Sequence, residues 1–313
     1  MLRYSVIVFI LFFPILLSAC IAEEEIVVDT EVFETASATI SPTPSATPTP
    51  SPSPSLTITR TPTSTSEPAS SPTPEPLQCW GEGGRIELGE LRTNELPLPL
   101  SYRIYLPPCY DQLVETRYPV LYLIHGQNFN DDQWDRLGVD ETADALIAAG
   151  EMPPLLVVMP RDRSWSQPTE DNFGKVVADQ LLPSIDQNYR TKAQRSYRAI
   201  GGLSRGAGWA LHLGFSRWED FGAIGMHSLP VFWTDLPEIR NWIDEIPYQN
   251  LPRIYMDLGD KDRPQISKSA KWFEELLTEK NIPHEWHLYP GYHEEAYWQE
   301  HVEEYLRWYT KNW

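Results

Sequence analysis

The chain has 313 residues, of which 41% are hydrophobic and 12% aromatic, enough to bury a large core. Its formal net charge is −19; the first 76 residues hold eight acids and two cations, so the rest of the chain carries −13. This acidic excess argues against nucleic acid as a partner and against docking on anionic lipid by charge.

The first 20 residues have the form of an export signal. One early cation, Arg3, precedes the apolar run Val6–Leu17, which is too short to span a bilayer comfortably and is followed by small residues. We interpret residues 1–19 as a signal peptide. The ending Leu-Ser-Ala-Cys at Cys20 resembles the bacterial lipoprotein processing site, in which the cysteine is lipidated and becomes the first residue. The alternative is an ordinary secretory signal with an accidental cysteine. Lipidation at Cys20 predicts a protein anchored to the cell membrane by lipid alone, outside the cytoplasm.

The segment that follows has the composition of an extended stalk. Residues 20–76 begin acidic, and Ser41–Pro76 contains 11 Pro, 9 Ser and 9 Thr in 36 residues. Such a segment cannot bury a core and favours polyproline II, which at ~3.1 Å per residue could reach on the order of 100 Å. We expect a disordered stalk that lifts a domain off a membrane. An unstructured spacer with no length requirement makes nearly the same prediction.

Two cysteines remain once Cys20 is assigned to lipid. Cys79 stands at the start of the folded domain, and Cys109 follows its second predicted strand. In an oxidising compartment such a pair predicts a disulfide. The alternative is two unrelated buried thiols.

The hydrophobic pattern predicts one folded domain, residues 77–313, in which strands and helices alternate. Two early runs alternate apolar and polar residues, as antiparallel strands with one solvated face do, and later apolar runs suit buried parallel strands. The predicted strands are Arg85–Leu91, Leu100–Leu106, Pro119–His125, Pro154–Pro160, the run before Ser204, Gly222–Met226, Arg253–Leu258 and His284–Tyr289. The predicted helices are Val139–Ala149, Phe173–Tyr189 with a kink at Pro183, the run after Ser204, Lys268–Lys280 and Glu295–Tyr309. This pattern indicates an α/β fold: a mostly parallel central sheet with helices on both faces and antiparallel strands at its N-terminal edge.

A G-x-S-x-G motif occupies residues 202–206 and centres on Ser204. It stands between a short apolar run typical of a buried strand and a small-residue run at helical spacing. A serine on a sharp strand-to-helix turn needs glycines two residues away on either side, because a Cβ there would collide with neighbouring backbone. The following helix aims its free N–H groups and positive dipole end at the serine. The pattern therefore predicts a nucleophilic serine, although a glycine-rich turn of another α/β protein would look similar.

Two later loops supply the partners that a serine nucleophile needs. The loop after strand 253–258 contains Asp260 and Asp262, and the loop after the last strand contains His293. A serine hydroxyl is a weak nucleophile until an imidazole takes its proton, and that imidazole needs a carboxylate on its other nitrogen. The order Ser, Asp, His at consecutive strand ends matches the α/β-hydrolase arrangement. Taken alone, the histidine could be a surface or core-edge residue, and the aspartates could belong to a solvated turn.

The turn His125-Gly126-Gln127 follows the first central strand and predicts half of an oxyanion hole. A glycine there allows close approach of the backbone, so the N–H of Gln127 can join the N–H of Arg205. We interpret His125 itself as structural. We expect no metal site and no cofactor.

From about Pro99 to its end the chain resembles the esterase family that includes feruloyl esterases, S-formylglutathione hydrolase (esterase D) and the mycolyltransferases. The resemblance rests on YPVLYLIHGQNFNDDQW from Tyr118, GLSRG at the serine, GDKD at residues 259–262 and YPGYHEEAYW from Tyr289. It implies an α/β-hydrolase fold. It also implies nucleophile Ser204, base His293 and, from the family spacing, acid Asp262 rather than Asp260, with oxyanion donors at Gln127 and Arg205.

Three departures from the family lie around the expected mouth of the site and concern the substrate rather than the chemistry. Arg205 stands where many relatives have Met, Arg161-Asp162-Arg163 replaces an Asp-Gly turn, and Glu294-Glu295 follow the histidine. A cation in the first turn of a helix is disfavoured by the dipole, so an acidic partner is expected for Arg205. The candidates are Glu294, Glu295 or a carboxylate on the substrate. The alternative is an arginine exposed to water.

Twelve tryptophans are a high count, and several fall near the predicted active edge. Trp134 and Trp165 lie in loops there, and Trp233 lies after the strand that ends near His227. Exposed aromatic faces suit stacking on sugars or on an aromatic acyl group, although core packing is an equal alternative for any one of them. We predict that Trp134, Trp165 and Arg205 contact the substrate.

These features predict a serine carboxylic-ester hydrolase that acts through an acyl-enzyme. The export signal and stalk favour acyl or feruloyl esters of carbohydrates outside the cytoplasm as substrates. Acyl transfer onto an envelope sugar is an alternative, because it uses the same acyl-enzyme. A catalytically silent surface-binding protein is a third possibility, against which the complete triad argues. The sequence gives no prediction of the oligomeric state.

Overall fold

The computed structural model describes residues 78–313. The predicted signal peptide (residues 1–19), the lipidation site Cys20 and the stalk (residues 20–76) lie outside the described residues. Within the described part, no helix is both long enough and apolar enough to cross a membrane.

Eight strands form one sheet, in the spatial order β1-β2-β4-β3-β5-β6-β7-β8. β1 pairs antiparallel with β2 and β2 pairs antiparallel with β4, whereas every later pairing is parallel. The strands are β1 Arg85–Leu91, β2 Leu100–Leu106, β3 Val120–Ile124, β4 Leu156–Pro160, β5 Arg198–Leu203, β6 Ala223–His227, β7 Arg253–Gly259 and β8 Glu285–Tyr289. The predicted α/β architecture, with antiparallel strands at the N-terminal edge, is confirmed.

The helices cover both faces of this sheet. They are α1 Gln133–Arg136, α2 Val139–Ala148, α3 Phe173–Val176, α4 Leu182–Asn188, α5 Arg205–Ser216, α6 Ile239–Glu245, α7 Pro264–Glu279 and α8 Glu295–Thr310. One core packs α3 to α7 on one face, and a second core packs α2 and α8 on the other. Every residue of β3 to β6 is buried, because parallel strands covered on both sides have no solvated face.

The predicted boundaries agree with the structure for most elements and differ at four helices. The short helices α1 and α6 were not predicted, because four and seven residues carry too little periodicity to be distinguished from loop. α7 begins at Pro264, four residues before the predicted start, since proline is well tolerated in a first helical turn. The helix predicted over 173–189 contains a π-helical segment, Val177–Leu181, immediately before the turn that holds Pro183. The irregularity therefore takes the form of a π-bulge, a common site of helix bending.

Cys79 and Cys109 form a disulfide in the structure. Their sulfur atoms are 2.03 Å apart and their Cα atoms 5.1 Å apart. Cys79 belongs to the short 3-10 helix Gln78–Gly81, and Cys109 lies just beyond β2. The bridge ties the first described residues to the antiparallel edge of the sheet.

Removing this bridge is expected to destabilise the domain without changing its fold. The bond closes a loop with a sequence separation of 30 residues, which in the chain-entropy model corresponds to about 3–4 kcal/mol of unfolding free energy. Urea unfolding of the Cys79→Ala/Cys109→Ala double variant should show a loss of this order. Reduction of the wild-type protein should produce a similar loss, and the same reductant should not affect the double variant. An unchanged midpoint in the double variant would contradict the expectation.

Candidate active site

Ser204 lies on a strained turn between β5 and α5, in the middle of the sheet. Its backbone has φ 50° and ψ −125°, a conformation that non-glycine residues rarely adopt. Its N–H donates a hydrogen bond of 2.8 Å to the carbonyl oxygen of His227, at the end of the neighbouring strand β6. This geometry lifts the side chain of Ser204 above the carboxyl edge of the sheet, where ligand sites of such folds lie.

The two glycines of the motif allow this turn because backbone lies directly against them. A Cβ on Gly206 would overlap the carbonyl group of Ile124 at the end of β3, and a Cβ on Gly202 would overlap the backbone of Gly206. A Cβ on Gly126 would come 2.8 Å from Cδ1 of Leu203. The collision that the sequence predicted for these positions is therefore present in the structure.

The side chains of Ser204, His293 and Asp262 meet in the predicted order. Nε2 of His293 lies 2.9 Å from Oγ of Ser204, and Nδ1 of His293 lies 2.8 Å from Oδ1 of Asp262. Both the histidine and the aspartate side chains are almost fully removed from solvent, with 7% and 0% of their area exposed. The indole of Trp298 stands edge-on to the imidazole at 4.9 Å.

Asp260, the other acid of the loop, does not lie at the histidine. It is exposed, and its Oδ1 accepts a hydrogen bond of 2.9 Å from the N–H of Gly291. Its own N–H donates to the carbonyl of Tyr289. Asp260 thus joins the acid loop to the histidine loop, while Asp262 is the carboxylate beside His293.

A series of polar contacts holds the loop after β3 against α1 and the start of α8. The N–H of Gly126 donates to Oε1 of the fully buried Gln133 at 2.8 Å, and Nε2 of Gln133 donates to Oε1 of Glu295 at 3.1 Å. Glu295 also pairs with Arg136 at 3.1 Å. The next N–H, that of Gln127, finds no protein acceptor among the described residues. Glu295 therefore supports this loop and does not pair with Arg205.

Arg205 pairs instead with Asp162, so the predicted partners Glu294 and Glu295 are wrong. Nε of Arg205 donates to Oδ2 of Asp162 at 2.7 Å, and Nη2 donates to the carbonyl of Ser166 at 2.7 Å. Nε1 of Trp209 donates to the same Oδ2 at 2.8 Å. Both members of the ion pair are buried. A loop far away in sequence supplies the carboxylate, which explains why neighbouring residues were the wrong candidates. Contact of Arg205 with substrate stays a prediction.

His125 is structural in its contacts. Its Nδ1 lies 2.7 Å from the carbonyl oxygen of Gly126, and its Nε2 accepts a hydrogen bond of 3.0 Å from the N–H of Asp162. Burial lowers the pKa of the imidazole, although the Gly126 carbonyl opposes this shift. A neutral ring suits a nitrogen that accepts a hydrogen bond.

The prediction that Trp134 contacts substrate is wrong. Trp134 is 1% exposed, lies in the unpredicted helix α1, and donates from Nε1 to the carbonyl of Ile124 at 3.1 Å. Trp165 and Trp233, in contrast, are 69% and 64% exposed. Trp165 belongs to the loop that Asp162 anchors, and it remains a candidate for substrate contact.

A buried polar cluster below the strand ends was missed from the sequence. Oδ1 of Asp257 lies 2.6 Å from Nδ1 of His227, and Oδ2 accepts hydrogen bonds from Tyr297 at 2.6 Å and Tyr305 at 2.8 Å. The hydroxyl of Tyr309 lies 3.0 Å from Nε2 of His227. Burial, followed by the charge of Asp257, raises the pKa of Tyr305 well above its usual value. The repeat of Tyr or His every four residues along α8, at positions 297, 301, 305 and 309, was the signal that could have revealed the cluster.

Two neighbouring clefts open above the sheet edge. The first, of about 330 Å³, is lined by Ser204, His293, Arg263, Glu294 and neighbouring residues. The second, of about 370 Å³, is lined by Arg161, Arg163, Trp165 and Arg205 among others. Both include residues 127–129 in their walls, so that segment forms their common border. Among residues 78–313, no group of three or more His, Cys, Asp or Glu side chains could hold a metal ion.

The sequence profile described as "Putative esterase" matches residues 93–309, which is most of the chain. The chain belongs to this esterase family. The match includes the serine elbow, the acid loop and the histidine loop described above.

Relatives of this chain include an endo-1,4-β-xylanase/feruloyl esterase of Xylanibacter ruminicola, 35% identical over 54% of this chain and 24% of the relative. An esterase of Mycobacterium tuberculosis is 28% identical over 64% of this chain and 54% of the relative. The chain therefore spans about a quarter and about half of the lengths of these two relatives.

Solved structures show the same fold. A ferulic acid esterase superposes with a TM-score of 0.65 at 24% identity and covers 73% of this chain and 98% of its own. The feruloyl esterase module of Clostridium thermocellum, complexed with sinapinate, gives 0.61 at 18% identity, covering 75% and 92%. S-formylglutathione hydrolase of Staphylococcus aureus gives 0.58 at 15% identity, covering 72% and 99%. These superpositions show that the chain has the α/β-hydrolase fold.

Breaking the ion pair between Arg205 and Asp162 is expected to destabilise the protein strongly. Arg205→Met leaves a buried carboxylate whose charge is uncompensated, which typically costs about 3–5 kcal/mol. The double variant Arg205→Met/Asp162→Asn removes that charge and should recover a substantial part of the loss. Urea unfolding of the two single variants and the double variant measures this. Strictly additive losses would contradict a direct coupling of the two side chains.

Proposed function

We propose that this protein is a serine carboxylic-ester hydrolase that acts through an acyl-enzyme. The observation that carries the proposal is the arrangement of three side chains at the elbow. Oγ of Ser204 and Nε2 of His293 are hydrogen-bonded at 2.9 Å, and Oδ1 of Asp262 lies 2.8 Å from Nδ1 on the other side of the imidazole. Distances of this size let a proton move from hydroxyl to imidazole as the oxygen attacks.

In the acylation half, Oγ of Ser204 attacks the ester carbonyl carbon while Nε2 of His293 takes the hydroxyl proton. The carboxylate of Asp262 orients the ring and stabilises the imidazolium that forms. Collapse of the tetrahedral intermediate breaks the bond to the alcohol oxygen. His293 gives its proton to that oxygen, and the acyl group stays on Ser204.

The negative charge on the carbonyl oxygen is held by backbone N–H groups. The N–H of Gln127 has no protein acceptor among the described residues, and the N–H of Arg205 is the first of α5. The first N–H groups of a helix lack intrahelical partners, and its dipole favours an anion there. We assign these two donors to the oxyanion hole. One donor of this kind is typically worth about 10²–10³-fold in kcat.

In the deacylation half, water replaces the alcohol. His293 takes a proton from the water, hydroxide adds to the acyl carbon, and the acid leaves as Ser204 regains its proton. A sugar hydroxyl in place of water would give acyl transfer through the same intermediate. Hydrolysis is the reaction named for the relatives and for the structural neighbours described above.

We assign acyl or feruloyl esters of carbohydrates as the substrate class. The printed name of the relative from Xylanibacter ruminicola joins a xylanase to a feruloyl esterase. The exposed indole of Trp165 in the second cleft provides a flat apolar surface for a sugar or an aromatic acyl group. We further propose that the enzyme acts outside the cytoplasm, anchored by lipid at Cys20 and held off the membrane by residues 20–76. The composition of those residues supports this location.

Replacing Ser204 by Ala is expected to abolish catalysis while the fold stays intact. kcat on short acyl, long acyl and feruloyl esters should fall by ~10⁴-fold or more, because the nucleophile is gone. Ser216→Ala, at the other end of α5, is the matched control and should keep wild-type rates. Running the panel with and without a sugar acceptor separates hydrolysis from transfer. Labelling by an organophosphonate probe at another residue, with Ser204 left unlabelled, would contradict the proposal.

Asn substitution is expected to distinguish the two acids of the loop. Asp262→Asn should lower kcat by about 10³–10⁴-fold, because an amide beside Nδ1 stabilises the wrong tautomer of His293. Asp260→Asn should cost far less, since that side chain only joins two loops. Steady-state kinetics of both variants on one neutral ester are the measurement. A greater loss from Asp260→Asn would move the acid to that position.

A further inference from the structure

Three arginines of the described region have neither a carboxylate nor a backbone carbonyl oxygen as a side-chain partner. The other arginine side chains contact a carboxylate or a backbone carbonyl oxygen. Within residues 78–313, Arg161 and Arg263 form no side-chain hydrogen bond or ion pair, and Arg163 bonds only to Oγ of Ser101, at 2.7 Å. All three line the clefts beside Ser204. Unneutralised guanidinium groups thus occur at the candidate site, in a domain with a large excess of acids.

Arg161 and Arg163 give the second cleft a net positive charge. Its lining contains one acid, Asp162, and that carboxylate is already occupied by Arg205. In the adjoining groove of about 240 Å³, which both arginines also line, Asp171 accepts a hydrogen bond from the N–H of Phe173 at 2.6 Å. Across residues 127–129, Arg263 shares its cleft with Glu294 and with Glu295. The excess of positive charge therefore lies in the second cleft, at Arg161 and Arg163.

The same short segment also presents an aromatic surface. Trp165 is 69% exposed and lines the cleft together with the two arginines. An indole face suits the apolar face of a sugar ring, and a guanidinium fork suits the two oxygens of a carboxylate. A sugar that carries a carboxylate would engage both kinds of group at once.

We propose that the sugar part of the substrate bears a uronate, whose carboxylate binds Arg161 and Arg163 while its ring, or the ring next to it, lies against Trp165. This inference rests on the proposed ester hydrolysis and names its substrate class. The cleft of Arg161 and Arg163 and the cleft of Ser204 share residues 127–129 in their walls, so one substrate can extend from one cleft to the other.

The test compares two matched substrates. One is a feruloylated xylo-oligosaccharide that carries a glucuronate substituent, and the other is the same compound with the carboxylate reduced to a neutral glucose. The wild-type enzyme should show a kcat/KM about tenfold higher on the acidic compound, since two partly exposed ion pairs typically give a gain of this size. The difference should reside in KM and should shrink as NaCl is raised, because salt screens exposed charges.

The variants separate this role from a general effect of charge. Arg161→Gln/Arg163→Gln should bring the ratio of the two kcat/KM values close to one, and Arg161→Lys/Arg163→Lys should retain much of the preference. Arg240→Gln, which removes an exposed arginine remote from the clefts, should keep the wild-type ratio. Thermal unfolding of each variant checks that the comparison is made on folded protein.

Each other outcome overturns the inference in a distinguishable way. Equal rates of the wild-type enzyme on both compounds, lost in Ser204→Ala, would exclude the anionic subsite and leave the proposed hydrolysis intact. A preference that survives in the Gln double variant would place the carboxylate elsewhere. A higher kcat/KM for a hemisuccinate ester of a neutral sugar would place the charge on the acyl group. Hydrolysis of none of these esters would overturn the proposed function and this inference with it.

Discussion

The contact between the start of α5 and the end of β3 is the constraint on which the rest of the site depends. Gly206 lies against the carbonyl group of Ile124, and Gly202 lies against Gly206, so side chains are excluded from both positions. Between these two glycines Ser204 has a positive φ, and the loop after β3 lies beside it. Ser204 and the loop after β3 are therefore positioned by one backbone contact, and a larger residue at either glycine would separate them.

His293 is positioned by a second, separate group of contacts, made by α8 on the other face of the sheet. The buried carboxylate of Asp257 is satisfied by His227, Tyr297 and Tyr305, which joins β6 and β7 to α8. A buried carboxyl group needs its hydrogen-bond partners, so a shift of α8 would leave Asp257 unpaired at a cost in stability. Trp298 belongs to the same helix and packs edge-on against the imidazole of His293. The cluster around Asp257 therefore also fixes the position of this contact.

The sequence predicted what depends on local pattern and missed what depends on distant partners. Alternating strands and helices, and the residues at the strand ends, follow from periodicity and spacing, and the structure brings Ser204, Asp262 and His293 together. The partner of Arg205 could not be predicted, because Asp162 is 43 residues away and no local rule couples the two. Trp134 was misplaced for a related reason: a four-residue helix has too weak a pattern to show that its tryptophan turns into the core.

In the loop that carries Asp162, the buried contacts of this one residue determine which neighbouring side chains face the solvent. Asp162 is directed inward, where His125, Arg205 and Trp209 hold it, while Arg163 and Trp165 are directed outward. Substitution of Arg163 or Trp165 would therefore leave the contacts of Asp162 with His125, Arg205 and Trp209 in place. The buried contacts of Asp162 and the outward residues Arg163 and Trp165 are therefore separate sets of side chains, joined through the backbone of this loop.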